Sequence, residues 1–278
     1  SWLIPNYGWH SVLLAGAIAP LALTVLLVLF LPESVKYLVH RGKGVAQVKR
    51  IAQRFMSGSL EQVTQFYLDE DRITVKKSSV AQLFSMPWLP GTLMLWMTYF
   101  MGLVIYYVLL SWMPTLMLGM GYPLAESAWL TSLFTFGGTA GILLAGWLMD
   151  RWEAHKVVSL GFILTMLFAL ALGFEHNHII LFGALIFLMG ITMNGAQSGL
   201  QTLAATFYPT HCRATGIAWM QGVGRFGGVA GTMMSAQLLS LQWQADSILM
   251  FLSLPALIAA AATIYKLQRY KPHALTVA

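Results

Sequence analysis

Charge is scarce in this sequence. Asp, Glu, Lys and Arg make up 9% of its 278 residues and hydrophobic residues 58%, with a mean hydropathy of +0.69. A soluble domain carries about 25% charged residues, so a soluble globular fold is excluded. In lipid every backbone polar group must be satisfied internally, and apolar runs of helical length then predict an all-α polytopic membrane protein. The single Cys212 excludes a disulfide framework and a cysteine metal site. No nucleophile or metal cluster suited to a membrane enzyme is legible, and no cofactor is expected. The net charge of +6 is no nucleic-acid footprint, because its distribution follows the apolar runs. The chain starts at Ser1 with no basic n-region ahead of the first run, which predicts a piece of a longer protein and no signal peptide.

What is present is a series of apolar segments. A hydrocarbon core of about 30 Å needs about 20 apolar helical residues. Seven segments qualify: 11–31, 90–113, 127–149, 157–174, 179–204, 214–239 and 247–267. Of the 16 Lys and Arg, all but Arg225 then fall on one side. Lys36, Arg41, Lys43, Lys49, Arg50, Arg54, Arg72, Lys76 and Lys77 lie between the first two segments. Arg151 and Lys156, Arg213, and Lys266, Arg269 and Lys271 occupy the alternate connections and the C-terminal end. The opposite side has Glu126, Glu175 and Asp246 and no Lys or Arg. The positive-inside rule makes the basic side cytoplasmic and the N-terminal end external. In the one long connection, Ser59-Leu60-Glu61-Gln62 reads as a capping box. The stretch from Lys43 to Arg54 reads either as a surface helix at anionic lipid or as a solvated linker helix.

Polar residues divide the segments by role. The first, fourth and seventh contain only Ser and Thr as polar residues, apart from Tyr265 and Lys266 at the end of the seventh. The fifth and sixth hold Asn194, Gln197, Gln201, Gln221, Arg225 and Gln237. The second adds Tyr99, Tyr106, Tyr107 and Ser111, and the third Thr131, Ser132, Thr135 and Thr139. Every third segment is bland enough to face lipid. The pattern predicts two three-helix units, each with one outer helix, as in transporters built on inverted repeats around a midplane site. The first segment would then be the outer helix of a preceding unit. Gly224 and Gly228, Gly227 and Gly231, and Gly137 and Gly141 stand four apart, a spacing that lets helices approach closely unless those faces meet only lipid. Arg225 sits mid-segment in Gly222-Val223-Gly224-Arg225-Phe226-Gly227-Gly228. A cation at that depth costs roughly 2.5–3.5 kcal/mol on insertion scales. It persists where it meets a wet cavity, a buried acid or an anionic ligand.

Three loop motifs carry a resemblance. Gly146-Trp147-Leu148-Met149-Asp150-Arg151, followed by Lys156, resembles the G-x-x-x-D-R loop of the major facilitator superfamily. Pro32-Glu33-Ser34-Val35-Lys36 resembles that superfamily's motif after its sixth helix in sugar and organic-acid porters. Tyr208-Pro209-Thr210-His211-Cys212-Arg213-Ala214-Thr215-Gly216 resembles the motif between helices ten and eleven. Ser111-Trp112-Met113-Pro114-Thr115, Asn194-Gly195-Ala196-Gln197 and the run from Arg213 through Gly227 resemble the aromatic acid:proton symporter branch. The resemblance implies that residues 1–31 end an N-terminal bundle and 32–87 form a cytoplasmic central loop. Residues 88–268 would form the C-terminal six-helix bundle and 269–278 a cytoplasmic tail. It implies a multi-pass protein of a bacterial inner membrane that imports aromatic carboxylates with protons. Its partners would be a small aromatic carboxylate, a proton, the bilayer and the absent N-terminal half, with no nucleic acid. A sugar or non-aromatic organic-acid porter is the alternative within the superfamily. A seven-helix receptor is the alternative outside it.

Within that expectation Arg225 holds the substrate carboxylate, since a guanidinium fork fits a carboxylate bidentately; the alternative is an ion pair with an acid elsewhere. Asn194 and Gln197 share a helix face and would bond a ring hydroxyl or join helices. Tyr106 and Tyr107 would stack on the substrate ring or anchor the interface. Glu33, Asp150, Arg151 and Arg213 would hold an inner gate through ion pairs or serve as topology charges. His176 and His178 beside Glu175 are read as surface residues in preference to a metal site. No Asp or Glu lies inside any apolar segment, so proton-coupling carboxylates are expected in preceding helices.

Overall fold

A computed structural model describes residues 3–30, 79–86, 88–174 and 178–270. The chain divides into two compact units, Ser1–Thr74 and Val75–Ala278. In the first, the described part is one helix, α1 (Leu3–Phe30). It contains Pro20, whose carbonyl accepts a 2.8 Å bond from the Thr24 hydroxyl. Glu33, the capping box at Ser59, the basic stretch from Lys43 to Arg54, Glu175 and His176 lie outside the described residues.

The second unit begins with the short α2 (Ser79–Leu83). Long helices follow: α3 (Trp88–Gly119), α4 (Leu124–Met149), α5 (Ala154–Phe174), α6 (Ile179–Phe207) and α7 (Thr210–Ser240). The last crossing is split into α8 (Ala245–Phe251) and α9 (Ser253–Arg269). Pro255 explains the split, since it offers no N–H to the carbonyl of Phe251 four residues back. Pro114 is instead absorbed inside α3, which runs one and a half turns past the expected end. Gly121, at φ +89°, makes the turn between α3 and α4; a residue with a Cβ is strained there. Pro123 and Pro209 immediately precede α4 and α7, where a fixed φ starts a helix without losing a bond.

Among the described residues, the crossings in α3, α4, α5, α6 and α8–α9 are long and apolar enough to span a membrane. α7, at 31 residues, reaches about 46 Å at 1.5 Å per residue. Its glycines, Gln221, Arg225 and Gln237 dilute its apolar character.

The packing repeats itself. α3 lies along α7 and α9, α6 along α4 and α5, and α5 packs on α8 and α9. Exchanging α3-α4-α5 for α6-α7-α8/α9 leaves that set of neighbours unchanged. α5 and α9 stand behind α3 and α6, turning Leu160, Leu167, Leu254 and Leu257 outward.

Two apolar clusters fill the unit. One, with Ile105, Met113, Phe134, Phe182, Met193 and Leu249, lies toward the α3–α4 and α7–α8 turns. The other, with Leu95, Phe162, Leu200, Tyr208, Met220 and Ala260, lies toward the α6–α7 turn and the end of α9. Most of the polar residues singled out in the sequence sit between those levels.

Candidate functional site

α4 and α7 each present a broad exposed face divided into two stripes. On α7 the large residues Trp219, Phe226 and Met233 are exposed at seven-residue intervals. Beside them run Ala218, Gly222, Arg225, Val229 and Ala236, all exposed. On α4 the large stripe is Trp129, Phe136 and Leu143, and the neighbouring one is Ala128, Ser132, Thr135, Thr139 and Gly146. At 100° per residue the stripes stand about 70–90° apart on each helix. Bulky apolar side chains suit acyl chains, whereas small and hydroxylated ones suit a wet wall. Arg225 belongs to the second kind of stripe. The α4 hydroxyls form a ladder, Thr131 donating to the Ser127 carbonyl at 2.9 Å and Thr135 to that of Thr131 at 3.1 Å.

Arg225 lies next to the contact between α7 and α3. There the Tyr99 ring fills the notch left by Gly224 and the Tyr107 ring that left by Gly228; a Cβ at either glycine would collide with it. The same holds for Gly227 and Gly231 against the Phe100 and Val104 carbonyls, and for Gly137 and Gly141 against those of Phe187 and Ile191 on α6. These glycines lie where backbones meet most closely.

Tyr99 is 8% exposed. The Gln197 amide donates to the Tyr99 carbonyl at 3.4 Å, and its Oε1 is buried without a partner. Gln197 fits only because Gly102 opposite it has no side chain. The structure thus sets Gln197 and the α7 backbone just before Arg225 against Tyr99. Asn194 turns toward Gly138 of α4 and bonds the Gly190 carbonyl of its own helix at 3.1 Å. Tyr106 stands edge-on to Tyr107, with centroids 5.6 Å apart, and 6.2 Å from Phe134. Gln221 Nε2 donates a hydrogen bond to Gln201 Oε1 at 3.3 Å, joining α7 to α6.

The candidate gate residues are dispersed. Asp150 caps α4, its N–H bonded to the Gly146 carbonyl, and its side chain is exposed. Arg151 lies 3.9 Å above the Trp147 ring. The Nε of Arg213 donates to the Tyr208 carbonyl at 3.5 Å. Among the described residues none of these three forms an ion pair with another; Glu153 there pairs with Lys156 at 3.4 Å.

Sequence reasoning passed over two positions. Tyr99 appeared only as one polar residue of its segment, although its place one helical heptad before Tyr106 was a signal. Lys266 was counted among the cytoplasmic tail charges. It is in fact 2% exposed, with Nζ 3.0 Å from His155 Nε2 and 4.3 Å above the Phe207 ring. Around it the helix ends are tied together. Tyr208 donates to Thr92 at 3.1 Å, and burial pushes its hydroxyl up to about 12, so it stays a neutral donor. The Gly91 N–H donates to the Tyr270 hydroxyl at 3.3 Å.

Residues 123–277 match the Major Facilitator Superfamily profile, and residues 4–121 match the profile described as Sugar (and other) transporter. The chain is 43% identical to the 4-hydroxybenzoate transporter PcaK of Acinetobacter baylyi, over 96% of this chain and 59% of that protein. It is 39% identical to a gallate transporter of Pseudomonas putida, over 95% and 58%. It is 33% identical to a benzoate transport protein of Acinetobacter baylyi, over 93% and 55%. The chain spans about three-fifths of the length of the curated relatives it matches.

Proposed function

This chain belongs to the major facilitator superfamily, and from that premise we propose that it forms the substrate-binding C-terminal part of a proton-coupled importer of small aromatic carboxylates. The observation that carries the proposal is the position of Arg225. It is a permanent cation on the small-residue stripe of α7, exposed and one residue from the Gly224 notch that holds the Tyr99 ring. A guanidinium there offers two parallel donors to a carboxylate at low dielectric. The relatives' names, 4-hydroxybenzoate, gallate and benzoate, share an aromatic ring bearing a carboxylate. Tyr106, Tyr107, Asn194 and Gln197 supply ring faces and amides at the same depth.

In this proposal residues 88–268 are one six-helix bundle, and helices preceding residue 1 complete the cavity. The greater length of the relatives supports that. Alternating access rocks the two bundles about the midplane. Glu33, Asp150, Arg151 and Arg213 close the inner side against the preceding bundle. The proton-coupling carboxylates lie in that bundle, since Glu126 and Asp246 occupy only first turns of helices. The protein sits in a bacterial inner membrane with its basic loops in the cytoplasm.

The full-length protein in proteoliposomes tests this. An inward proton gradient is expected to drive accumulation of labelled 4-hydroxybenzoate. Arg225→Gln is expected to reduce it to background with normal membrane insertion, and Arg225→Lys to reduce it at least tenfold. Normal accumulation by Arg225→Gln overturns the assignment. A second reading, a sugar or non-aromatic organic-acid porter, is favoured by the profile matched at residues 4–121; it stands if a sugar or an aliphatic acid is accumulated and 4-hydroxybenzoate is not.

A further inference from the structure

Two helices of the membrane-spanning unit lie on a third without closing over it. α4 and α5 both run along α6 and scarcely meet each other. Glycine carries them down onto it: a Cβ at Gly141 would strike the Ile191 carbonyl, and one at Gly161 the Ala196 side chain. Between them is left a groove of about 90 Å³. Leu144 and Leu148 of α4, with Trp152 just beyond it, form one wall; Val157 and Leu164 of α5 form the other, and Gly195 of α6 lies in the floor. From Leu144 to Trp152 the wall rises about 12 Å at 1.5 Å per residue, most of the roughly 15 Å that half a hydrocarbon core occupies. A helix, about 10 Å across with its side chains, does not enter so small a volume. An extended hydrocarbon chain does.

The groove opens toward lipid, and the charges at its mouth divide by face. At 100° per residue, Leu144 lies between the buried face of α4 at Gly141 and the large stripe of Phe136 and Leu143, on the far side from Thr135 and Thr139. On α5 the lip is Leu160, which is exposed. Lys156 stands one turn before Leu160 on that outward face, its side chain 68% exposed. Its partner Glu153 is turned inward, with one carboxylate oxygen buried without a hydrogen-bond partner. Arg151 leans over the exposed Trp147 ring. Asp150 follows Gly146 by four residues and so continues the small-residue stripe, away from the groove.

The repeat supplies a counterpart. Exchanging the two three-helix sets turns α4, α5 and α6 into α7, α8/α9 and α3. There Phe100, Val104, Met234, Leu254 and Ile258 line a second apolar groove of about 210 Å³. It lies toward the opposite end, where the α7–α8 turn and α8 carry Asp246 as their one charge. The two grooves share their chemistry and differ in the sign of charge at the mouth.

We propose that the α4–α5 groove is a binding site for one acyl chain of an anionic phospholipid whose phosphate lies against the Lys156 ammonium. Basic residues at a membrane surface draw anionic lipid, and a tryptophan beside them suits the headgroup level. The counterpart groove takes acyl chains without selecting an anionic headgroup. The site is separate from the substrate path and does not depend on the role given to Arg225.

The full-length protein tests this in phosphatidylcholine nanodiscs holding a small share of phosphatidylglycerol with a photoreactive group in mid-chain. After irradiation the adducts are mapped by mass spectrometry. Adducts on residues 144–164 are expected at least fivefold above those on the exposed large stripe at Phe226 and Met233. Excess unlabelled phosphatidylglycerol is expected to remove them, and excess phosphatidylcholine to leave them. Lys156→Gln is expected to lower the yield at least threefold and Lys156→Arg to retain it. Leu160→Trp, which narrows the mouth, is expected to lower the yield as well, with the melting temperature of all three variants unchanged. Even labelling of all lipid-facing surfaces overturns the proposal, since it describes ordinary boundary lipid. Equal displacement by phosphatidylcholine, or full labelling of Lys156→Gln, overturns the part given to the headgroup. Absence of adducts on residues 144–164 overturns the site itself and leaves the preceding bundle as what covers the groove.

Discussion

Asp150 and Arg151 are neighbours in sequence with different surroundings. Arg151 spends its charge on the Trp147 ring. Asp150 is exposed at the C-terminal cap of α4, where the helix dipole disfavours an anion by about 0.3–1 kcal/mol. Stability of α4 therefore does not account for an acid there. Asp150→Asn is expected to leave the melting temperature of the full-length protein unchanged or slightly raised, to leave ligand binding intact and to lower uptake several-fold. Uptake at the wild-type rate would reduce Asp150 to a topology charge. At this scale the sequence discriminates unevenly. Arg225 is legible because a lone cation in an apolar run is costly and conspicuous. Lys266 is not, because a cation near the end of a run looks like a loop charge. Only the packing of Phe207 and His155 over it reveals burial. Tyr99 is hidden for a related reason: a tyrosine in a membrane helix suits an interface, a core or a site equally, and only its neighbours on α6 and α7 decide.

At the scale of the helix, glycine positions separate contact from exposure. Gly227 faces the Phe100 backbone carbonyl, which cannot rotate away, whereas nothing lies within 4 Å of a Cβ built at Gly222. Overpacking a tight contact costs about 1–3 kcal/mol. Gly227→Ala is thus expected to lower the melting temperature by several degrees and to reduce insertion yield. Gly222→Ala, five residues away on the same helix, should leave stability unchanged or slightly better, since alanine favours a helix. Equal effects at the two positions would contradict the α3–α7 contact. Four-residue glycine spacing identified the contact helices but not their partners, because spacing describes one surface and says nothing of the surface it meets. Helix ends were read from apolar runs, which begin at 127 and 214, three and four residues after α4 and α7 start behind Pro123 and Pro209. They were misjudged at Pro114, which α3 carries internally, and at Leu252, where Pro255 interrupts a run of continuous apolar character. Hydropathy records neither event, since both concern a single missing backbone donor.

For the whole molecule, orientation follows from an argument that needs no side-chain detail. Fifteen of the sixteen Lys and Arg residues fall in alternate connections or at the C-terminal end, and the membrane-spanning unit brings the described ones to one end. The α6–α7 turn, the start of α3 and the end of α9 meet there through Tyr208, Thr92, Gly91 and Tyr270. The opposite end gathers the end of α3, the end of α7 and the start of α8 around a cavity of about 390 Å³. That cavity is lined by Thr115, Gly119, Leu239, Trp243 and Asp246, without a basic residue among them. On the positive-inside rule we propose that the first end is inside and the second outside. Single cysteines decide it once Cys212, which is buried, has been replaced by Ser. Gly119→Cys and Ser240→Cys, both exposed at the cavity end, are expected to react with a membrane-impermeant maleimide in intact cells. Thr206→Cys and Gln268→Cys, exposed near the other end, are expected to react only after the membrane is opened. The converse pattern would invert the protein in the membrane and move Asp150 and Arg213 to the outer mouth, where an inner gate has no meaning. Mixed labelling within one end would break the grouping of helix ends itself.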